Sequence, residues 1–217
     1  MFIRRAAPLL LLTACTQGPS GDADILAIGD SLLDFNTPDE DVTSVAAEAL
    51  GMSHEFAAIG GTTMLGDDAI GDQYVEGAFE LLIASGGGND LGEGCVCGED
   101  CASVIDELID ESGSSGAIVD VVERAVSDGK RVAWVGYMRP MDSAEEFSTC
   151  DAELDVIRER MTTLDEQQPD MVFVDSATFG TGVETELYAE DGYHPSPQGS
   201  AAIGEALAEQ VQSEWFE

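Results

Sequence analysis

The strongest constraint on this chain is a recurring break in its hydrophobic pattern. Short apolar runs stop abruptly at clusters of Gly, Ser, Asn and Asp, and helical periodicity then takes over. Residues 24–28 end in Gly29-Asp30-Ser31, residues 54–59 in Gly60-Gly61, and residues 81–84 in Ser85-Gly86-Gly87-Gly88-Asn89-Asp90. Residues 131–135 and 171–174 supply a fourth and a fifth run. Such short apolar runs read as strands buried on both faces. Between them, residues 41–50 place Val42, Val45, Ala46 and Leu50 on one helical face and close at Gly51. Residues 103–109, 117–126, 152–164 and 196–211 also read as helices, the first two separated by the Ser/Gly stretch 112–116. This alternation predicts a parallel sheet covered on both faces, in one α/β domain over residues 24–217. Ligands of such sheets bind beyond the carboxyl ends of the strands, so the loops after the first three strands are expected to carry the chemistry.

Those loops hold the parts of a nucleophilic site. A serine nucleophile needs a base, a group that orients the base, and donors for the oxyanion. The chain has two histidines. His54 reads as a surface or strand-edge residue. His194 lies in Asp191-Gly192-Tyr193-His194-Pro195, just ahead of the last helix. An Asp three residues before a His can fold back onto the imidazole and fix its tautomer. Ser31 sits at the end of the first strand, and no G-x-S-x-G elbow occurs anywhere. The Asn89 amide, the Ser31 N–H and a glycine N–H after the second strand can serve as oxyanion donors. Asp30 reads as a loop support, Asp67, Asp68 and Asp72 as a solvated loop, and Trp134, Tyr137 and Met138 as strand-core packing.

Four segments together carry a family resemblance. Gly29-Asp30-Ser31-Leu32 resembles block I of the SGNH/GDSL hydrolases, Gly60-Gly61-Thr62-Thr63 block II, Gly87-Gly88-Asn89-Asp90 block III, and Asp191-x-x-His194 block V. They occur in the family's order. The resemblance implies a flavodoxin-like three-layer α/β/α fold with a five-stranded parallel sheet in the order 2-1-3-4-5. It implies Ser31 as nucleophile, His194 as base and Asp191 as its partner, with Ser31, Gly61 and Asn89 forming the oxyanion hole. Gly60 is the alternative to Gly61, because Phe56 stands where block II usually has an Asn. The implied activity is hydrolysis of carboxylic esters or thioesters by acyl transfer, on short- or medium-chain acyl groups, without a cofactor or metal. A carbohydrate O-acetylesterase and a non-catalytic binding lipoprotein on the same fold are the alternatives.

The ends of the chain and its charge set the context. Arg4 and Arg5 precede an apolar stretch too short to span a bilayer, and Leu12-Thr13-Ala14-Cys15 matches a bacterial lipobox. Residues 1–14 are therefore expected to be a lipoprotein signal, Cys15 the lipidated residue, and residues 15–23 a tether. Thr16 after the Cys resembles lipoproteins sorted to the outer membrane, which implies anchoring in the cell envelope, and a monomer is expected. The formal net charge is −36, from 44 acidic and 8 basic residues. Such a surface repels nucleic acid; the family resemblance implies a small-molecule or glycan ester as the substrate. Cys95, Cys97, Cys101 and Cys150 are an even set in an exported chain and suggest two disulfides. Cys95 and Cys97 are too close to pair with each other comfortably, so each is expected to reach Cys101 or Cys150. A four-thiolate zinc site is the rival, although C-x-C-x3-C is a poor match to a zinc knuckle.

Overall fold

The structure, a computed structural model, describes residues 18–97, 101–144 and 147–216. The signal segment, Cys15 and the first residues of the tether lie outside the described residues.

Five strands form one all-parallel sheet: β1 (Ile25–Ile28), β2 (His54–Phe56), β3 (Leu81–Ala84), β4 (Arg131–Val135) and β5 (Met171–Val174). Their spatial order is β2-β1-β3-β4-β5, as the family resemblance implies. β1, β3 and β5 are buried at every position, which is why they read as unbroken apolar runs. Alternate residues face opposite layers. Leu26, Ile28, Leu82, Ala84, Val132 and Trp134 pack into one core, and Ile25, Ile83, Ala133, Val135, Val172 and Val174 into the other.

Seven helices complete the layers among the described residues: α1 (Ser31–Asp34), α2 (Val42–Leu50), α3 (Gly88–Gly94), α4 (Ala102–Leu108), α5 (Ala117–Ser127), α6 (Asp151–Gln167) and α7 (Pro197–Trp215). α2 and α7 cover the second core, while α3 to α6 cover the first. The boundaries follow local chemistry. Asp41 caps α2 by accepting the Ser44 N–H at 2.9 Å, and Gly51 ends it in the left-handed conformation. Ser196 caps α7 through the Gly199 N–H at 3.1 Å, with Pro197 opening the helix.

Two expectations need correction. Strand pairing of β2 stops at Phe56, because the chain then turns away toward Gly60 and Gly61. α7 runs beyond residue 211 to Trp215, since Val211 is buried and no breaker follows it.

Candidate active site

β1 delivers Ser31 to the carboxyl edge of the sheet through a close approach to β3. A Cβ on Gly29 would lie 2.5 Å from Ser85 Oγ, so only glycine lets the two strand ends meet here. Gln73 grips the same residue: its Oε1 accepts the Gly29 N–H at 2.7 Å, and its Nε2 donates to Gly29 O at 3.0 Å. Asp30 then caps α1 by accepting the Leu32 N–H at 3.0 Å. Ser31 is thereby the first residue of a one-turn helix, with its own N–H at the helix start and no acceptor for it among the described residues.

Asp30 is 1% exposed and collects donors from three other strands and loops. Its Oδ1 accepts the Ser85 hydroxyl at 3.2 Å, and its Oδ2 accepts the Tyr137 hydroxyl in a short bond and the Asn89 amide at 3.5 Å. Burial pushes its carboxyl above the ordinary aspartate value, against the pull of these donors. Burial and the adjacent Asp30 charge likewise push the Tyr137 phenol well up. The Tyr137 oxygen also accepts the Gly88 N–H at 3.0 Å, at the start of α3. Next to it, the Asn89 amide donates to Thr62 O at 3.0 Å. Asp90 completes the link between the second and third loops by accepting the Met64 and Leu65 N–H groups, both at 2.9 Å.

In the loop after β2, the two candidate glycines differ. The Gly60 N–H is bonded to Asp34 Oδ2 at 2.9 Å, whereas the Gly61 N–H has no acceptor among the described residues. Gly61 has φ +81°, a backbone conformation that a side chain would strain. Asp34 thus supports the loop that follows Phe56 at the end of β2.

The candidate base, His194, arrives from the loop before α7. His194 Nδ1 lies 2.8 Å from Asp191 Oδ2, and Asp191 Oδ1 accepts the Tyr193 and His194 N–H groups at 3.1 and 3.0 Å. Partial burial acts to raise the Asp191 carboxyl, but the His194 and Tyr193 bonds outweigh it and leave the carboxyl below its usual value. The Phe35 ring stacks on the His194 imidazole, with centroids 4.4 Å apart and planes 6° apart.

Ser31, Gly61, Asn89 and His194 all line one cavity of about 860 Å³, and Asp191 stands behind His194. Ser31 Oγ makes no hydrogen bond among the described residues. Apolar side chains, including Leu32, Phe35, Met138, Phe147 and Leu154, form much of the wall. Tyr137 and Met138 face this cavity rather than only packing in the core, because the chain leaves β4 at Val135 and turns along the sheet edge. Trp134, still within β4, is a core residue as expected. His54 is exposed on the edge strand β2.

The cysteines border the wall. Cys95 pairs with Cys101 and Cys97 with Cys150, with Cα atoms 5.2 and 4.8 Å apart. The second bridge ties the end of α3 to the start of α6, and Val96, Phe147 and Thr149 beside it line the cavity. All four cysteines thus lie at disulfide spacing, each with one partner. Sequence reasoning passed over Gln73, Asp34 and Phe35 and assigned Tyr137 to the core, since single polar or aromatic residues carry no periodic signal.

No sequence-family model matches this chain, and no curated protein sequence matches it. Solved structures do. A protein from Slackia heliotrinireducens described as an SGNH hydrolase superposes with a TM-score of 0.64 at 19% identity, covering 86% of this chain and 97% of its own. A member of the lipolytic G-D-S-L family from Veillonella parvula gives 0.60 at 13%, covering 89% and 98%. A carbohydrate esterase family 2 enzyme with a carbohydrate-binding domain, from Corynascus thermopiles (Myceliophthora fergusii), gives 0.61 at 17%, covering 99% of this chain and 69% of its own. The three-layer α/β/α fold of SGNH/GDSL hydrolases is therefore the fold of this chain.

Proposed function

We propose that this chain is a serine hydrolase that cleaves carboxylic esters or thioesters through an acyl-enzyme. The supporting observation is the convergence of Ser31, Gly61, Asn89 and the Asp191-bonded His194 on one largely apolar cavity. Ser31 Oγ attacks the carbonyl carbon as His194 Nε2 takes its proton. Asp191 holds Nδ1 and favours the imidazolium that forms. The Ser31 and Gly61 N–H groups receive the oxyanion, joined by the Asn89 N–H that turns from its long 3.5 Å contact with Asp30 Oδ2. His194 then protonates the leaving alcohol or thiol, and water releases the acid by the reverse order of steps.

The apolar wall suits a short or medium acyl chain. The likeness to a carbohydrate esterase supports a second reading, an O-acetylesterase acting on a glycan. One experiment separates them. Wild-type protein is expected to hydrolyse p-nitrophenyl acetate and butyrate and to react with a fluorophosphonate probe, and Ser31→Ala to lose both while keeping its circular dichroism spectrum. Acetate release from acetylated xylan with little turnover of butyrate favours the glycan reading. Probe labelling that survives in Ser31→Ala overturns the nucleophile assignment.

A further inference from the structure

Nothing so far accounts for how the Ser31 segment and the His194 loop, 163 positions apart in sequence, keep their spacing. Asp191 cannot do it. It lies three residues from His194 and fixes the imidazole only within its own loop. Other ties of that loop also run elsewhere: Met141 N–H donates to Gly192 O at 2.8 Å, and the Tyr193 ring packs on Phe147 at 4.8 Å. Among the described residues, no bond from Ser31 Oγ closes the gap.

The residues that do span it follow the nucleophile directly. α1 ends after one turn, and Phe35 leaves it in an extended conformation, φ −71° and ψ 141°. Its ring is thereby laid flat on His194 at 4.4 Å. Asn36 then adopts φ +67°, and its Nδ2 donates to Pro195 O and to Ser200 Oγ, both at 2.9 Å. Pro195 follows His194, and Ser200 is fully buried in the first turn of α7. The base is held on its ring face by one residue and through its neighbouring backbone by the next.

We propose that Phe35 and Asn36 are positioning residues that set the distance and tilt of His194 relative to Ser31, so that the hydroxyl-to-imidazole bond forms only within this clamp. A flat ring face at this spacing restricts the imidazole to rotation in its own plane. It also favours the imidazolium generated during attack, through the ring's negative face. An ångström of drift in such a pair is enough to lower turnover by about a hundredfold.

The inference rests on the hydrolase reading, and the test keeps the two apart. Phe35→Leu preserves apolar bulk without a ring face, Phe35→Tyr preserves the ring, and Asn36→Gly removes the amide at a backbone angle that glycine accepts. With p-nitrophenyl acetate, Phe35→Leu and Asn36→Gly are expected to lower kcat by about ten- to a hundredfold with KM nearly unchanged, since the lost contact acts in the transition state. Phe35→Tyr should stay near wild type. Proton NMR gives a second readout, because the chain has two histidines. The His194 ring protons, shifted upfield by the stacked phenyl, should move downfield in Phe35→Leu while those of His54 stay in place. An active wild type whose Phe35→Leu form keeps its kcat, or whose Phe35→Tyr form falls as far as Phe35→Leu, overturns the clamp alone. So do unmoved His194 resonances. A wild type that neither turns over ester nor takes the probe overturns both proposals.

Discussion

The floor of the cavity and its flanks are held by different means. The floor is the row of strand ends bearing Asp30, Ser31, Asn89 and Tyr137. It is joined by buried hydrogen bonds between residues far apart in sequence, such as Asp30 to Tyr137 and Asp90 to Met64. The flanks are loops. They are held by the Cys97–Cys150 bridge, by ring stacking, by the short-range Asp191–His194 pair, and by the Asn36 amide on Pro195 O and Ser200 Oγ. Buried polar networks tolerate little displacement, because each lost partner leaves a desolvated group behind. The candidate oxyanion donors Ser31 and Asn89 thus sit on the networked side, while the apolar wall residues Val96 and Phe147 sit on the side tied by the bridge.

The largest effect expected from breaking this division is on the flank. The Cys97–Cys150 bridge spans 53 positions and the Cys95–Cys101 bridge 6. On the chain-entropy model, removing the first as Cys97→Ser with Cys150→Ser lowers stability by about 4 kcal/mol. Removing the second as Cys95→Ser with Cys101→Ser lowers it by about 2 kcal/mol. Urea unfolding of the two double variants measures the difference. Equal losses would mean that the long bridge does not constrain the unfolded chain, and that the flank is held by other contacts.

The floor responds to a single oxygen. Tyr137→Phe strips the acceptor from the Gly88 N–H and a donor from the buried Asp30 carboxyl, with no change in ring packing. An unpaired Gly88 N–H, with one donor fewer on Asp30, corresponds to about 1–3 kcal/mol of lost stability. Because Gly88 precedes Asn89, kcat should fall in the same variant. Thermal unfolding together with ester turnover checks both. An unchanged melting temperature would show that the network contributes nothing to the rigidity of the floor.

How far these two regions could be read from sequence differs in the same way. The strands were legible because burial on both faces writes itself as an apolar run: β3, β4 and β5 begin and end where the runs do. The motif residues were legible because glycine and short polar residues mark strand ends. α1 and α3 were not, since a four-residue turn and a glycine-rich start show no helical period. The floor network was hidden for another reason. Asp30 and Tyr137 are 107 positions apart, and nothing local at either residue announces the other. Asn89 was expected to donate freely to an oxyanion, and the structure adds that the same amide is aimed by Thr62 O. The bridges were half legible: the even count and the cramped spacing of Cys95 and Cys97 pointed to Cys101 and Cys150 as partners, but which took which depended on where α3 ends.

The finest test compares one carboxylate from each region. Burial raises the Asp30 carboxyl in the floor, while the bonds from His194 and Tyr193 lower that of Asp191 in the flank. The linkage signs are therefore opposite. For Asp30 the folded state favours the protonated form, so its contribution is full below the unfolded value near 4 and is lost as pH rises through the higher folded value. For Asp191 the folded state favours the ionised form, so its contribution is full above about 4 and is lost as pH falls through the lower folded value. Measured as urea midpoints between about pH 3 and pH 7, Asp30→Asn should gain on the wild type as pH rises, and Asp191→Asn should fall behind it. Taking each variant against the wild type removes the titration of the many other acids. Two differences that slope the same way would show that burial does not govern the floor carboxylate, and that the donors around Asp30 stabilise its ionised form as firmly as His194 stabilises Asp191.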